Sequence, residues 1–431
     1  MTAPQTRVDH RQPAPAAAPR VLLLVPARTY RAADFLRAAA RMGLDLVIGS
    51  DGALPLGGRP VIPVHPGDPE TSVRRILGRC GPVAAVIAAD TPMLALAAAV
   101  AARMGLPHNS VDAVRNASDK ARQRQRWAAA GVPQPRFAIL PAGAPAEAIR
   151  AAATSVGFPC VVKAVSLSAS RGVLRADDPA VAVAAAQRIR GILATARLAA
   201  GEPLLVEEYL PGPELSIDGL LADGGLTVTA IFDKPAMPDG PTFEETMLVT
   251  PSRLSAPVLA AAIRTAGQAA CALGLTHGPI HAELRIADDG GSAGGCGGGR
   301  PAMLELAARC IGGLCSRALR FPGGQSLEEL VLANALGQLT PAIRHAPARP
   351  AGVFMLPVPR PGVLQAVQGR ESAAAVPGIT GVTITIPAGQ RVRPLPDGDR
   401  YLGFIFAEAA TRHAVEHALS AARDQLRVVI G

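Results

Sequence analysis

Apolar and polar positions along the first quarter of the chain follow a strand, helix, strand rhythm. Residues 21–25 (VLLLV) form a short, continuously apolar run, the pattern of a strand covered on both faces. An Ala/Arg/Leu stretch at 31–42 has helical spacing, and 45–48 returns to strand. A helix near 71–78, a strand at 83–89 and a helix at 92–104 continue the pattern, which predicts a small open α/β domain. The first strand runs into Pro26-Ala27-Arg28-Thr29-Tyr30 without a glycine fingerprint, which argues against a dinucleotide site in this lobe.

A polar helix is expected over about 112–131, carrying Asp119-Lys120 and Arg122, Arg124 and Arg126, and ending at Gly131 with Pro133 just beyond. A new domain starts about here. Residues 145–156 read as helix, 160–165 as strand and 166–172 (SLSASRG) as a mobile small-residue loop. After a helix near 178–198, an apolar strand at 204–210 halts at Pro211-Gly212-Pro213, and strands recur at 215–221, 227–232, 279–286 and 302–308. The insert 288–299 (DDGGSAGGCGGG) reads as a flexible hairpin loop without chemistry. Beyond about 345, Gly/Pro punctuation, short strands near Val353, Val382 and Phe404, and a helix near 413–423 suggest a separate C-terminal lobe.

Composition narrows the class. The 431 residues suffice for several lobes, and 49% hydrophobic against 18% charged residues indicates well-filled cores. No apolar run reaches the roughly 18 residues of a membrane span, so no membrane partner is expected. The Pro/Ala-rich segment 1–19 lacks the apolar core of a signal peptide and reads as a disordered arm, which leaves the cytoplasm as the expected location. Six cysteines at irregular spacing, with no CxxC pair, signal neither zinc nor a disulfide framework. A net charge of +9 raises nucleic acid as a partner, but the basic residues are dispersed and only 3% of residues are aromatic. A small anion fits better. Lys120, Lys163 and Lys234 are the only lysines among 43 basic residues. Where either cation would serve, this chain uses Arg, so its lysines mark places that require a compact ammonium, such as phosphate contacts.

Strand geometry supplies the sharpest chemical clue, because alternate residues share a face. In 279–286, His281, Glu283 and Arg285 face one way; in the next strand Glu305 and Arg309 share a parity opposite Leu304, Leu306 and Ala308. Two carboxylates on neighbouring strands in apolar sequence need a positive partner, and magnesium carried in with a nucleotide supplies one. A cross-strand Glu–Arg ladder on a solvated face is the competing reading. Lys163 leaves its strand beside the Ser/Gly loop as a candidate phosphate clamp. Glu207-Glu208-Tyr209-Leu210 ends another strand.

In this order the motifs resemble the ATP-grasp superfamily: Asp119-Lys120, Pro159 to Ala164 with the Ser-rich loop and Arg171-Gly172-Val173, VEEYLPGPELSIDG (206–219), HAELRI (281–286) and LELAAR (304–309). The resemblance runs from roughly 80 to 431. It implies an α/β ATP-grasp fold: an N-terminal open α/β domain (20–115), a nucleotide-binding module of a lid lobe (116–205) and a metal-bearing lobe (206–345), and a small α+β C-terminal lobe (346–431). It also implies that Lys120 and Lys163 contact nucleotide phosphates under a lid bearing Ser168, Ser170 and Gly172. Glu207, Glu208, Tyr209 and Leu210 resemble the hinge that reads adenine, Glu214 the acid on the ribose, and Glu283 and Glu305 the pair that binds Mg2+, or Mn2+, with ATP.

The ELAAR-x-IGG run (305–313), Phe243-Glu244-Glu245-Thr246 and the segments GVFMLPVP and YLGFIFA look like the L-amino-acid ligase branch. That similarity implies an acyl phosphate attacked by an amine. Carboxylate and amine substrates are expected to be amino acids, with Arg309 stabilising the intermediates and Glu245 binding a substrate amine. His281, Gly312, Gly313 and Lys234 complete the expected substrate set, a solvated surface position being the alternative for Lys234. Two departures stand out. Ala307 occupies the superfamily's usual metal-ligating Asn position, and Leu248 is apolar where related ligases carry a polar substrate contact. A homodimer is expected by analogy. A biotin-carboxylase-like enzyme acting on bicarbonate and a non-catalytic nucleotide-binding module are the alternative functions.

Overall fold

The computed structural model describes residues 18–27, 29–54, 59–195, 201–235, 238, 240–287, 299–339 and 349–431. The proposed N-terminal arm, up to residue 17, and the Gly-rich insert over 288–298 lie outside the described residues.

The N-terminal rhythm folds into a four-stranded parallel sheet, with Arg20–Val25 between Asp45–Ser50 and Ala85–Ala88, and Val61–Pro63 at the edge. Val21 to Val25 are fully buried, as a central parallel strand covered on both faces requires. Helix Pro69–Cys80 starts where its pattern demands: the Asp68 carboxylate accepts from the Thr71 N–H, and proline occupies the first turn.

The single polar helix expected over 112–131 is two helices, Val111–Ala117 and Lys120–Ala129. Asp119 breaks them apart by leaving helical geometry (φ −132°, ψ 112°) to cap the second, its side chain accepting from the Arg122 N–H. That break has a consequence. It sets Lys120 on the first turn, where its backbone N–H donates to Val165 O (3.1 Å). Trp127, fully buried, anchors the same helix by donating from Nε1 to Ala269 O (3.1 Å).

A second sheet of four antiparallel strands, ordered Phe137–Leu140, Leu204–Glu208, Cys160–Ala164, Val173–Ala176, is backed by helices Ala146–Val156 and Pro179–Thr195 with its own apolar core. The third and largest sheet has eight antiparallel strands: Arg300–Ala307, Gly278–Ala287, Glu214–Ala222, Gly225–Asp233, Met247–Thr250, Ala351–Leu356, Gly403–Glu408 and Ile379–Ile384. The C-terminal segment, expected as a separate lobe, therefore contributes three strands to the central sheet. Its entry point is Met247–Thr250, which pairs with Ala351–Leu356 through four residues but with Gly225–Asp233 only at Asp233–Val249. A strand that short needs a partner on its other edge, and sequence periodicity carries no information about which strand supplies it. A three-stranded sheet (Arg391–Val392, Gly362–Gln368, Arg427–Ile430) and helix Arg412–Asp424 complete this end.

The N-terminal sheet is not an appendage. One apolar core joins its strands and helices to Glu214–Ala222 and Gly278–Ala287, and another joins its opposite face to Val353, Met355 and Phe404. No described helix is long and apolar enough to cross a membrane.

Candidate functional site

A cleft of about 270 Å3 lies where the three principal sheets meet, and every strand motif singled out from sequence reaches it. Its floor is the pair of strands Gly278–Ala287 and Arg300–Ala307. Glu283 and Glu305 stand directly opposite each other in that pairing, as strand parity anticipates. Parity fails at Leu304. A bulge sets Leu284 opposite Met303, leaving Leu304 as an extra residue, so it lines the cleft together with Glu305 instead of facing away. Arg309 also departs from the expected strand geometry: the strand ends at Ala307 and Arg309 sits in the turn beyond.

Lys120 and Lys163 line the cleft, whereas Lys234, expected among the substrate contacts, does not reach it and sits behind its acids. The Lys120 Nζ is 3.1 Å from Glu305 Oε1 and donates to Leu167 O. Lys163 Nζ lies 2.6 Å from Glu207 Oε2, and Arg124 Nε donates to Glu207 Oε1. Burial works against the Glu207 carboxylate, yet Arg124 and Lys163 outweigh it and hold the group below its ordinary range. Burial also presses the Lys163 ammonium below its usual value, despite Glu207. The Glu207 side chain is thus engaged beneath the cleft by two cations, a use not foreseen for a residue expected to act through its backbone.

Lys234 is 5% exposed, which excludes the surface position. Its ammonium contacts Glu214 Oε1 (2.7 Å), Glu245 Oε1 and Glu283 Oε2 (3.5 Å). These three carboxylates each offer an oxygen within 4.8 Å of the others. Burial opposes charge on Lys234, but the surrounding glutamates outweigh it and raise the group well above its ordinary value. Burial raises Glu245, against the pull of Lys234, whereas Lys234 and His281 overcome burial at Glu283 and depress it strongly. His281 bridges Asp218 (Nδ1 to both carboxylate oxygens, 3.3 Å) and Glu283 (Nε2 to Oε1, 3.4 Å). Burial alone would lower this imidazole; Asp218 and Glu283 push it up to about 9.

Glu283 and Glu305 suit a hard divalent cation. They are anionic oxygen donors on facing strand positions, with side chains 24% and 28% exposed toward the cleft. Ala307 lines the cleft close by but brings no donor atom.

Arg309 is held from the N-terminal sheet. Its Nε donates to Thr91 Oγ1 (3.0 Å) and lies 3.5 Å from Asp90 Oδ1, while Nη1 donates to Cys310 O (2.8 Å). At the opposite end Tyr209 stacks on Phe243 (centroids 6.2 Å apart, planes 21° apart) and carries the Arg175 and Arg285 guanidiniums 4.7 and 5.0 Å from its ring centre. Arg285 also bonds Glu214 Oε2 (3.0 Å) and Leu210 O (2.6 Å), tying the acid of 214 to the chain at 210. Arg136 clasps the Glu208 carboxylate at the rim.

Ser168 and Ser170 line the cleft from the loop above it, with Ala169 and Ser170 in left-handed geometry (φ 57° and 56°). Gly172 does not reach the cleft. It turns the chain at φ 64° where a Cβ would stand 3.1 Å from Leu167, and its carbonyl accepts from the Ala164 N–H. Gly312 and Gly313 do line it, Gly313 at φ 60° against the Phe404 ring.

Sequence reasoning missed Arg124, Asp218, Asp90 and Thr91. Asp218 shares the parity of Glu214 on its strand, a signal available from spacing. Asp90 and Thr91 follow strand Ala85–Ala88, at the carboxyl end of a parallel strand where open α/β sheets gather ligands. Arg124 gave no such signal, because its buried bonds to Met303 O and Leu304 O come from a distant segment.

Residues 156–318 match the ATP-grasp domain family model, and residues 354–431 match L-amino acid ligase C-terminal domain 2. Among curated proteins, the alanine–anticapsin ligase of Bacillus subtilis (strain 168) is 28% identical over 229 residues, covering 49% of this chain and 45% of that one. A D-alanine–D-alanine ligase of Xanthomonas axonopodis pv. citri is 40% identical over 135 residues, covering 30% and 39%. The chain thus spans less than half the length of both ligases. The crystal structure of an L-amino acid ligase from Bacillus licheniformis superposes with a TM-score of 0.76 at 24% identity, covering 95% of this chain and 98% of that one.

Proposed function

The chain belongs to the ATP-grasp family and carries an L-amino acid ligase C-terminal domain, and we propose that it spends ATP to join a carboxylate to an amine, both from amino acids. The observation that carries this reading is the convergence, in one cleft, of Lys120, Lys163, the facing pair Glu283 and Glu305, and Arg309.

The chemistry follows from that set. A carboxylate is a poor electrophile, so its oxygen first attacks the γ-phosphorus of ATP and ADP leaves. The amine nitrogen then attacks the acyl carbon, the C–O bond to phosphate breaks, and the nitrogen gives up a proton. Lys120 and Lys163 hold phosphate oxygens as compact charges. Arg309 offsets the negative charge that builds on the transferring phosphoryl group and on the acyl oxygen. Glu283 and Glu305 would hold magnesium, which supplies further neutralisation of the triphosphate. The loop 166–172 closes over the phosphates and keeps water from the acyl phosphate.

The test is phosphate release from Mg-ATP with pairs of standard amino acids, mass spectrometry of each active mixture, and a Glu305→Ala control. A product with the combined mass of two amino acids less water, absent in the control, supports the reading. Bicarbonate-dependent hydrolysis indifferent to amino acids would replace it with the biotin-carboxylase-like alternative.

A further inference from the structure

Behind the acidic floor of the cleft stands a carboxylate that the chemistry above does not use. Asp218 is 1% exposed and is not among the residues lining the cleft, so it meets no ligand there. Pairing in the central sheet puts it in one cross-strand row with His281 and Ala307, and the neighbouring row is Ser216, Glu283 and Glu305. Rows two residues apart share a face, so Asp218 stands on the side of the sheet that carries both acids of the floor.

Asp218 is itself held at two points. Its Oδ1 accepts from the Ile311 N–H (3.1 Å). A bulge inserts the buried Thr229 between the residues paired with Gly219 and Asp218, and the threonine hydroxyl donates to the Asp218 carbonyl (3.1 Å). From this fixed post both carboxylate oxygens face His281 Nδ1 at 3.3 Å, and His281 Nε2 reaches Glu283 Oε1 at 3.4 Å. With an acid at each ring nitrogen, the imidazole cannot turn without losing both contacts. Ala307 closes the row without a donor atom, so the pair Glu283 and Glu305 gains no third protein ligand from it, and the aim of each carboxylate counts for more.

We infer that Asp218 is a positioning residue for the metal acid: through His281 it fixes the Glu283 carboxylate toward the cation, without touching cation or substrate. A carboxylate already held in place loses less freedom when the cation arrives. Removing such a partner from behind a ligand weakens metal affinity or activity by about tenfold to a hundredfold. The inference deepens the ligase reading and rests on it for catalysis, but not for cation binding.

Mn2+ binding to the full chain with ADP present, read from the electron paramagnetic resonance of the free ion, tests this. Asp218→Asn keeps an acceptor for the Ile311 N–H but loses the charge facing His281. Its Mn2+ binding is expected to weaken by about tenfold or more, while ADP affinity without metal stays unchanged because Asp218 lies outside the cleft. Combined with His281→Gln, it is expected to add no further loss, since the acid acts through the imidazole. Parent-like Mn2+ binding in Asp218→Asn, penalties that multiply in the double variant, or no Mn2+ binding by the parent overturns the inference. Thr229→Val, which frees the Asp218 carbonyl, repeats the test should Asp218→Asn not fold: weaker Mn2+ binding upholds the inference and unchanged binding overturns it. Turnover is scored separately. A lower kcat in Asp218→Asn at unchanged amino-acid KM is expected; unchanged kcat overturns the positioning role and leaves the ligase reading standing. Weakened Mn2+ binding in Asp218→Asn, with no product from any amino-acid pair in the parent, supports the role and overturns the ligase reading.

Discussion

Arg309 and Thr91 lie 218 positions apart, yet the guanidinium Nε donates to the threonine hydroxyl at 3.0 Å. The arginine follows a strand of the central sheet, and its partner follows a strand of the N-terminal one. The N-terminal sheet therefore does more than support the molecule: it aims a cation into the cleft.

Thr91→Val removes that hydroxyl while keeping the branched shape. A hydrogen bond to a charged group contributes about 1.5–3 kcal/mol, so kcat is expected to fall by roughly tenfold to a hundredfold with little change in the KM for ATP. Steady-state kinetics with any active substrate pair checks this. An unchanged kcat would mean that Asp90 and Cys310 O suffice to aim Arg309.

Lys234 balances three buried carboxylates, and Lys234→Met strands them. Removing one partner from such a network costs about 3–5 kcal/mol, to be read as a lower urea midpoint in chemical denaturation. Lys234→Arg keeps the charge but brings a planar fork where the three acids converge within 4.8 Å. It is expected to fold and to lose most turnover; full turnover in this variant would show that the ammonium's shape is immaterial.

The acidic floor of the cleft was legible in sequence because period-two alternation is rigid. Once His281, Glu283 and Arg285 fall on one strand, their shared face follows, and Glu305 meets Glu283 across the ladder. Leu304 was misjudged because a single extra residue reverses parity, and nothing in the apolar run announces a bulge. The break at Asp119 was encoded in a capping residue but hidden by continuous polar periodicity on either side. The partners of Arg124 and Arg309 were beyond reach for a different reason: each bond joins segments whose proximity depends on how the sheets pack.

Gly313 offers a steric test. At φ 60° its added Cβ would lie 2.7 Å from the Phe404 ring. Gly313→Ala must displace that ring or the turn, and a loss of about 1–3 kcal/mol in stability is expected. Thermal denaturation measures it, and an unchanged Tm would show that the turn relaxes freely.

Stability at low pH has an identifiable contributor away from the cleft. Glu329 caps helix Leu327–Ala335 through Ser326 and binds Arg41 of helix Ala32–Arg41 in a two-oxygen clasp. The Arg41 bond outweighs burial and holds the carboxyl below its ordinary 4.5. A depressed carboxyl stabilises the fold above its unfolded value, and that contribution is lost as pH falls through the folded one. Glu329→Gln is therefore expected to be less stable than the parent by about 1 kcal/mol at pH 7. The gap should close progressively below pH 4.5 in urea titrations at stepped pH; a constant gap would assign the effect to packing instead.

The thin attachment of Met247–Thr250, paired at one residue on one side and at four on the other, also orders events in time. During synthesis both acids of the cleft floor, Glu283 and Glu305, emerge before Ala351–Leu356 does, so the strand bearing Leu248 waits for its main neighbour. The charged floor of the cleft is complete early, and the strand bearing Leu248 is secured last. Until then that strand is held to the sheet only through Val249 opposite Asp233.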